Sequence, residues 1–248
     1  MKNNLLNAIN FYNNLFSDVI TNEIVLERFN CYYQNTSVPL WNTVFHNDTY
    51  YSYEDILGLF SFYSTKKIKG YFLSFDTKYQ EFSIYNGAFF SINKFCASQD
   101  FLLNPKFSVR EIKDSHEFCR YLFTLFEIDT ETQKELSIML SLKDRKFKNK
   151  NYCAYFDNTI CATITIAVNE SENAYLYNLA IFPEFRKKNL ASQFIYYLLK
   201  EFSDKNIFTL TASNSVLSQF SLPNLGFERL GDINLIPLEK MKQAIQDF

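Results

Sequence analysis

Between Phe182 and Ala191 the chain reads FPEFRKKNLA, three consecutive cations ahead of an asparagine and an apolar run. A helix beginning at this point would present unpaired backbone N–H groups and roughly half a positive charge at its first turn. Arg186, Lys187 and Lys188 just before it would complete a grip suited to a pyrophosphate. Upstream, Ala174 to Phe182 contains no carboxylate, and its polar groups are Tyr175, Tyr177 and Asn178. Alternation puts the two tyrosines on one strand face, where they could meet a substrate or a water relay, or serve as aromatic packing. Glu172 and Asp232 are more distant candidates for a base. Metal chemistry has little to work with. The histidines are His46 and His116, and the cysteines Cys31, Cys96, Cys119, Cys153 and Cys161 form no CxxC pair, so no zinc spacing can be assembled. The thiols read as buried and free, in a reducing compartment, and nothing local signals a Cys–His nucleophile pair.

The elements that would position this stretch follow from periodicity. Ala174 to Phe182 is a strand stopped by Pro183, and Asn189 can cap a helix whose stripe is Leu190, Phe194, Leu198 and Phe202, with Ile195 beside it. Before it, Tyr152 to Phe156 and Thr159 to Val168 are β-branched or aromatic runs joined at Asp157-Asn158, a dipeptide suited to a tight hairpin. Lys143 to Asn151 (KDRKFKNKN) reads either as a solvated loop or as an accessory grip on an anionic ligand. Phe107, Val109 and Ile112 suggest a strand, followed by helices over Ser115 to Phe126 and Thr130 to Leu142.

Asn104-Pro105 is a plausible joint. Ahead of it lie a helical stripe from residue 3 to 20, an extended segment over Ser37 to His46, and a helix from Tyr53 to Ser64 opened by Ser52-x-x-Asp55. Strands are expected over Gly70 to Phe75, Glu81 to Tyr85 and Ala88 to Phe95. With 248 residues, two domains are expected: an α/β domain over 1–105 and an α+β domain with one central sheet over 106–248. A net charge of -2 gives no case for nucleic acid or a membrane surface, and no run approaches the roughly 20 apolar residues of a membrane span. A cytoplasmic protein, monomeric or homodimeric, is expected. Only 5 Gly and 5 Pro are present, so turns that need a positive φ must often use Asn.

IFPEFRKKNLA resembles the acetyl-CoA-binding motif of the GNAT family of N-acetyltransferases, Pro-x-x-Arg/Gln-x-x-Gly-x-Gly/Ala after a hydrophobic strand. Pro183, Arg186 and Ala191 match, and Asn189 stands at the first glycine. The resemblance runs from Phe107 to about Leu238. FSVREI is similar to the family's first strand, and FTLTASNSVLSQFSLPNLGFERLG to its fifth strand and fourth helix, ending in Leu225-Gly226-Phe227. It implies a GNAT-type mixed central sheet flanked by helices. The acetyl and pantetheine groups would meet the backbone of Leu179, Ala180 and Ile181. The pyrophosphate would meet the loop formed by Arg186, Lys187, Lys188, Asn189, Leu190 and Ala191, and the pantetheine arm Asn214 or Ser215, with counting back from Gly226 favouring Ser215. The implied reaction is acetyl transfer from acetyl-CoA, as co-substrate, to the primary amine of an acceptor. The family's usual acid, a tyrosine four residues before the Leu-Gly-Phe glycine, is here Leu222, which opens the alternative of a catalytically weak or silent acyl-CoA-binding module. The N-terminal hundred residues look similar to the degenerate first half of tandem GNAT proteins and carry no phosphate motif.

Overall fold

The computed structural model describes residues 8, 22–26, 29–33, 42–46, 51–95, 103–126, 130, 132–134, 137, 147–170 and 172–246. By compactness the chain divides into two units, and each draws on both sides of residue 105. One comprises 1–15, 89–211 and 215–230, the other 16–88, 212–214 and 231–248.

In the second unit, strands β1 (Asn22–Leu26), β2 (Phe29–Tyr33), β3 (Thr43–His46), β4 (Tyr71–Ser74) and the later part of β11 (Glu228–Pro237) pair in that order. All these pairings are antiparallel except β3 with β4. Helix α1 (Tyr53–Thr65) starts at the expected capping box: the Asp55 amide donates to Ser52 Oγ at 3.2 Å and the Ser52 amide to Asp55 Oδ2 at 2.6 Å. It buries Ile56, Leu59 and Tyr63 against Leu238 and Met241 of α4 (Leu238–Gln246) and against Phe72. The strand expected over Glu81 to Tyr85 does not form. Asp76 accepts from the Lys78 amide at 3.0 Å and directs Thr77–Phe82 into a 3-10 turn, so β5 (Tyr85–Ile92) begins only at its end.

In the first unit the strand order is β5, β10 (Asn206–Ala212), β9 (Asn173–Ile181), β8 (Thr159–Val168), β7 (Lys148–Phe156) and β6 (Phe107–Glu111). It is a mixed sheet: β6 to β9 run antiparallel to one another, and β10 is parallel to β9. The hairpin between β7 and β8 turns at Asp157 and Asn158, with φ of 54° and 63°, the left-handed pair expected there. Helices lie on the two faces. Helix α3 (Leu190–Glu201) packs on one, where Tyr152 Oη donates to Glu201 at 2.5 Å and Phe107 meets Phe194 edge to face. Helix α2 (Ser115–Phe126), at the expected bounds, packs on the other face against β7, β8 and β9.

The lysine-rich stretch is not all loop. Residues 143–146 lie outside the described residues, but Lys148 to Asn151 belong to β7, with alternation turning Asn149 and Asn151 to one face and Lys148 and Lys150 to the other. Of the helix expected over Thr130 to Leu142, residues 130, 132–134 and 137 are helical; of the expected N-terminal helix, Ala8 is helical and buried. The remainder of both, and Cys96, lie outside the described residues.

Candidate active site

Strand β9 carries the first special feature. Asn178 sits in the left-handed region at φ 56°, and the ladder with β8 slips there: Thr165 pairs with Tyr177 but Thr163 with Ala180, so β9 accommodates one extra residue. This is a β-bulge, a device that re-aims a strand. Its cause is local chemistry. Asparagine tolerates the left-handed region, and the Asn178 amide group donates to Thr165 Oγ1 at 3.3 Å while Thr163 Oγ1 donates to the Asn178 carbonyl at 3.3 Å. On its other edge β9 pairs with β10 only through residues 173–176. From Tyr177 onward the two strands part. The half-buried backbone of Leu179, Ala180 and Ile181 therefore borders an opening instead of a ladder.

The turn after β9 carries the second. Phe185 and Arg186 close a 3-10 turn on Phe182 and Pro183, and then Lys187 (φ 63°) and Asn189 (φ 55°) are both left-handed. At Asn189 the left-handed residue is followed directly by the right-handed first residue of the helix, a step that turns successive amides toward a common point, as in an anion nest. Asn189 makes no side-chain cap, contrary to the expectation that it would. Side-chain capping needs extended backbone, and Asn189 instead does the conformational work of a glycine. The first amides of α3 are consequently not taken by their own cap. Arg186 Nε donates to the Ile181 carbonyl at 3.2 Å, which fixes the guanidinium at the mouth of the opening. Lys188 Nζ lies 5.0 Å from the Phe185 ring and 5.4 Å from that of Phe156. Arg186, Lys187, Lys188 and Asn189 are exposed, Leu190 is buried in the α3 core and Ala191 is half-buried.

After β10, Ser215 Oγ lies 3.3 Å from Thr211 Oγ1 and accepts from the Ser218 amide at 3.1 Å, so it is held in the first unit; Asn214 is exposed. Leu217–Ser221 then form a wide π turn. Pro223 explains it, because its ring excludes the carbonyl four residues back and it has no amide to donate. Leu222, at the position where a tyrosine would supply an acid, is 1% exposed and packed inside. Gly226 takes φ 88°, the conformation for which a glycine is needed.

A polar cluster on the α2 face was not anticipated by the sequence. The register sets Asn149, Ala167 and Tyr175 in one row and Asn151, Thr165 and Tyr177 in the next. Tyr177 Oη donates to Asn149 Oδ1 at 2.7 Å, and Thr165 Oγ1 donates to Asn151 Oδ1 at 3.0 Å. The rings of Tyr175 and Tyr177 lie 6.0 Å apart; Tyr175 is buried and Tyr177 half-buried. The Lys-Asn-Lys-Asn alternation at 148–151 was the available signal for Asn149 and Asn151. Among the described residues the thiols are buried, and burial pushes Cys153 up to about 12 and Cys161 up to about 11 against the pull of Lys188. Among the described residues, no three His, Cys, Asp or Glu groups gather as metal ligands, and no helix is long and apolar enough to cross a membrane.

Residues 111–223 match the sequence profile of the Acetyltransferase (GNAT) family. That match spans a little under half of the chain, and solved structures named for the same family are similar to it in fold. A GCN5-related N-acetyltransferase from Kribbella flavida superposes with a TM-score of 0.65 at 6% identity, over 93% of this chain and 95% of that one. A protein of unknown function from Staphylococcus epidermidis gives 0.65 at 13% identity, over 89% and 95%. A tandem GNAT protein from the clavulanic acid biosynthesis pathway gives 0.54 at 11%, over 84% and 76%. At such identities the likeness is one of fold. No curated protein sequence matches the chain.

Proposed function

We propose that the chain is an acetyl-CoA-dependent N-acetyltransferase acting on a primary amine. The observation that carries this reading is the pairing, within one unit, of the opening between β9 and β10 with the left-handed basic turn at the start of α3. The residues fit the cofactor. The left-handed turn at Asn189 and the amides of α3 without a side-chain cap suit a pyrophosphate, with Arg186, Lys187 and Lys188 adding charge. The backbone of Leu179, Ala180 and Ile181 suits an amide-bearing arm and a polarised carbonyl oxygen, and Ser215, or Asn214, suits the arm's far side. Bound acetyl-CoA supplies an acyl thioester, and the chain's part is to hold it and to orient and deprotonate the amine. Tyr175 and Tyr177 are the groups of β9 nearest that task, through a water relay or directly.

The division at residue 105 into an N-terminal α/β domain, GNAT-like and degenerate, and an acetyltransferase domain over 106–248 is part of the same proposal, as is a cytoplasmic location with no metal. A second reading, a GNAT-fold acyl-CoA-binding module with weak or no catalysis, is favoured by one observation: Leu222 is buried where an acid would stand. A missing general acid costs about 10²–10⁴ in rate, which slows a thiolate's departure without forbidding it. Thiol release from acetyl-CoA, measured over a panel of amines, amino acids and peptides, separates the two. Amine-dependent release supports the enzyme, and binding without release supports the module. Arg186→Ala is expected to weaken CoA binding about tenfold through the phosphates, and an unchanged affinity would contradict the placement of the grip.

A further inference from the structure

Strand β1 stands at the end of the strand order, and among the described residues none pairs with its outer edge. Its hairpin with β2 fixes which groups lie on that edge. Leu26 opposite Phe29, across two residues, is a hydrogen-bonded pair, and such pairs recur at every second residue, at Ile24 with Cys31 and Asn22 with Tyr33. The amides and carbonyls of Glu23 and Val25 therefore point outward. Exposed edges are commonly blunted by proline, lysine or a bulge, and Asn22–Leu26 (NEIVL) has none of these. Its apolar side chains are open to water instead: Ile24 is 37% exposed and Val25 62%. Val25 and Leu26 also line a groove of about 630 Å³ with Phe29, Leu59 and Phe62, so the edge is uncovered on its α1 side as well.

We propose that β1 pairs antiparallel with β1 of a second copy of this chain, about a two-fold axis at Ile24. The strand is self-complementary in this register. Glu23 then faces Val25 of the second copy, and each such pair exchanges two N–H···O bonds, so every outward group of both residues is met on both strands. Sliding by two residues in either direction sets Glu23 against Glu23, with like charges opposite, or Val25 against Val25, and leaves the other residue facing beyond the strand. Ile24 shares the face of Phe29 and Cys31, which pack with Leu59 of α1. There the two Ile24 side chains meet as a non-hydrogen-bonded pair, the closer-spaced kind, and leave water. Glu23 lies on the opposite face, bonded to the Tyr32 hydroxyl and held beside the second copy's Val25. The same five residues thus supply the bonds, the apolar match and the avoidance of like charge, which is the signature of a self-pairing strand. The inference rests on none of the cofactor reading.

The test is sedimentation velocity on the full chain across a dilution series. One strand pair is a small interface, so a reversible dimer with a Kd on the order of 10 μM is expected. The sign of a charge at position 25 then tests the register. Val25→Glu, which faces Glu23 of the second copy, is expected to weaken the dimer about tenfold or more relative to Val25→Lys, which faces the same carboxylate with a cation. Both substitutions fall on an exposed side chain, and equal melting temperatures check that the fold is kept. Ile24→Cys is expected to cross-link as a disulfide dimer on oxidation, beyond the wild-type background, because Cα atoms about 4.5 Å apart in a non-hydrogen-bonded pair lie within disulfide reach. A wild-type chain that stays monomeric at about 100 μM would overturn the inference and leave the edge to a strand of another protein. So would equal dimerisation of Val25→Glu and Val25→Lys, or an Ile24→Cys chain that does not cross-link.

Discussion

Two asparagines hold backbone conformations that other folds assign to glycine. Asn178 at φ 56° makes the bulge and Asn189 at φ 55° turns the chain into α3. In a chain with only 5 glycines, this is how left-handed positions are filled at modest cost. The two differ in what else they do. Asn178 is anchored by Thr163 and Thr165, so Asn178→Ala is expected to lose both conformational tolerance and a hydrogen bond, about 1–3 kcal/mol in urea denaturation. Asn189 makes no side-chain cap, so Asn189→Gly is expected to leave the denaturation midpoint nearly unchanged and CoA affinity equal or tighter. A marked loss of CoA affinity in Asn189→Gly would mean that the side chain itself binds the ligand.

At the scale of elements, what the sequence made legible was what is encoded locally. The strand, the basic turn and α3 follow from contiguous residues, and so do the Ser52 capping box and the Asp157-Asn158 hairpin. The bulge was placed only through resemblance, because its determinants, Thr163 and Thr165, lie on a different strand from Asn178. Asn149 was hidden by its neighbours: six charged residues and an asparagine pair in KDRKFKNKN resemble a solvated run until pairing with β8 assigns alternate residues to opposite faces. The 3-10 turn at Thr77–Phe82 was missed because Asp76 reorganises a stretch whose apolar spacing also suits a strand. Close approach is equally invisible in sequence. At Gly70 a Cβ would lie 2.5 Å from Tyr63 Cγ and 2.6 Å from Leu238 Cδ1. Tyr63 cannot retreat, since its hydroxyl donates to the Tyr32 carbonyl at 2.6 Å. Gly70→Ala is therefore expected to cost about 1–3 kcal/mol by urea denaturation, and a neutral result would show that α1 can shift on β4.

Taken as a whole, the molecule stores neutral thiols and phenols in its interior. Burial pushes Cys31 and Cys153 up to about 12 and Cys161 up to about 11, from 9.0, and raises Tyr63 and Tyr152 as well, the latter also through Glu201. Groups whose pKa is raised on folding favour the native state while neutral. For the thiols that contribution is complete below pH 9 and is lost as pH rises through 11 and 12. The melting temperature is expected to be level from pH 7 to 8.5 and to fall above pH 9; a rise over that range would contradict the burial of these groups. The central claim, however, concerns the opening between β9 and β10 and the turn that follows it. Isothermal titration of the chain with acetyl-CoA tests it most directly. The account predicts one site per chain, with an affinity that falls as salt is raised and falls again in Arg186→Ala. No heat and no thermal shift at millimolar acetyl-CoA would contradict it.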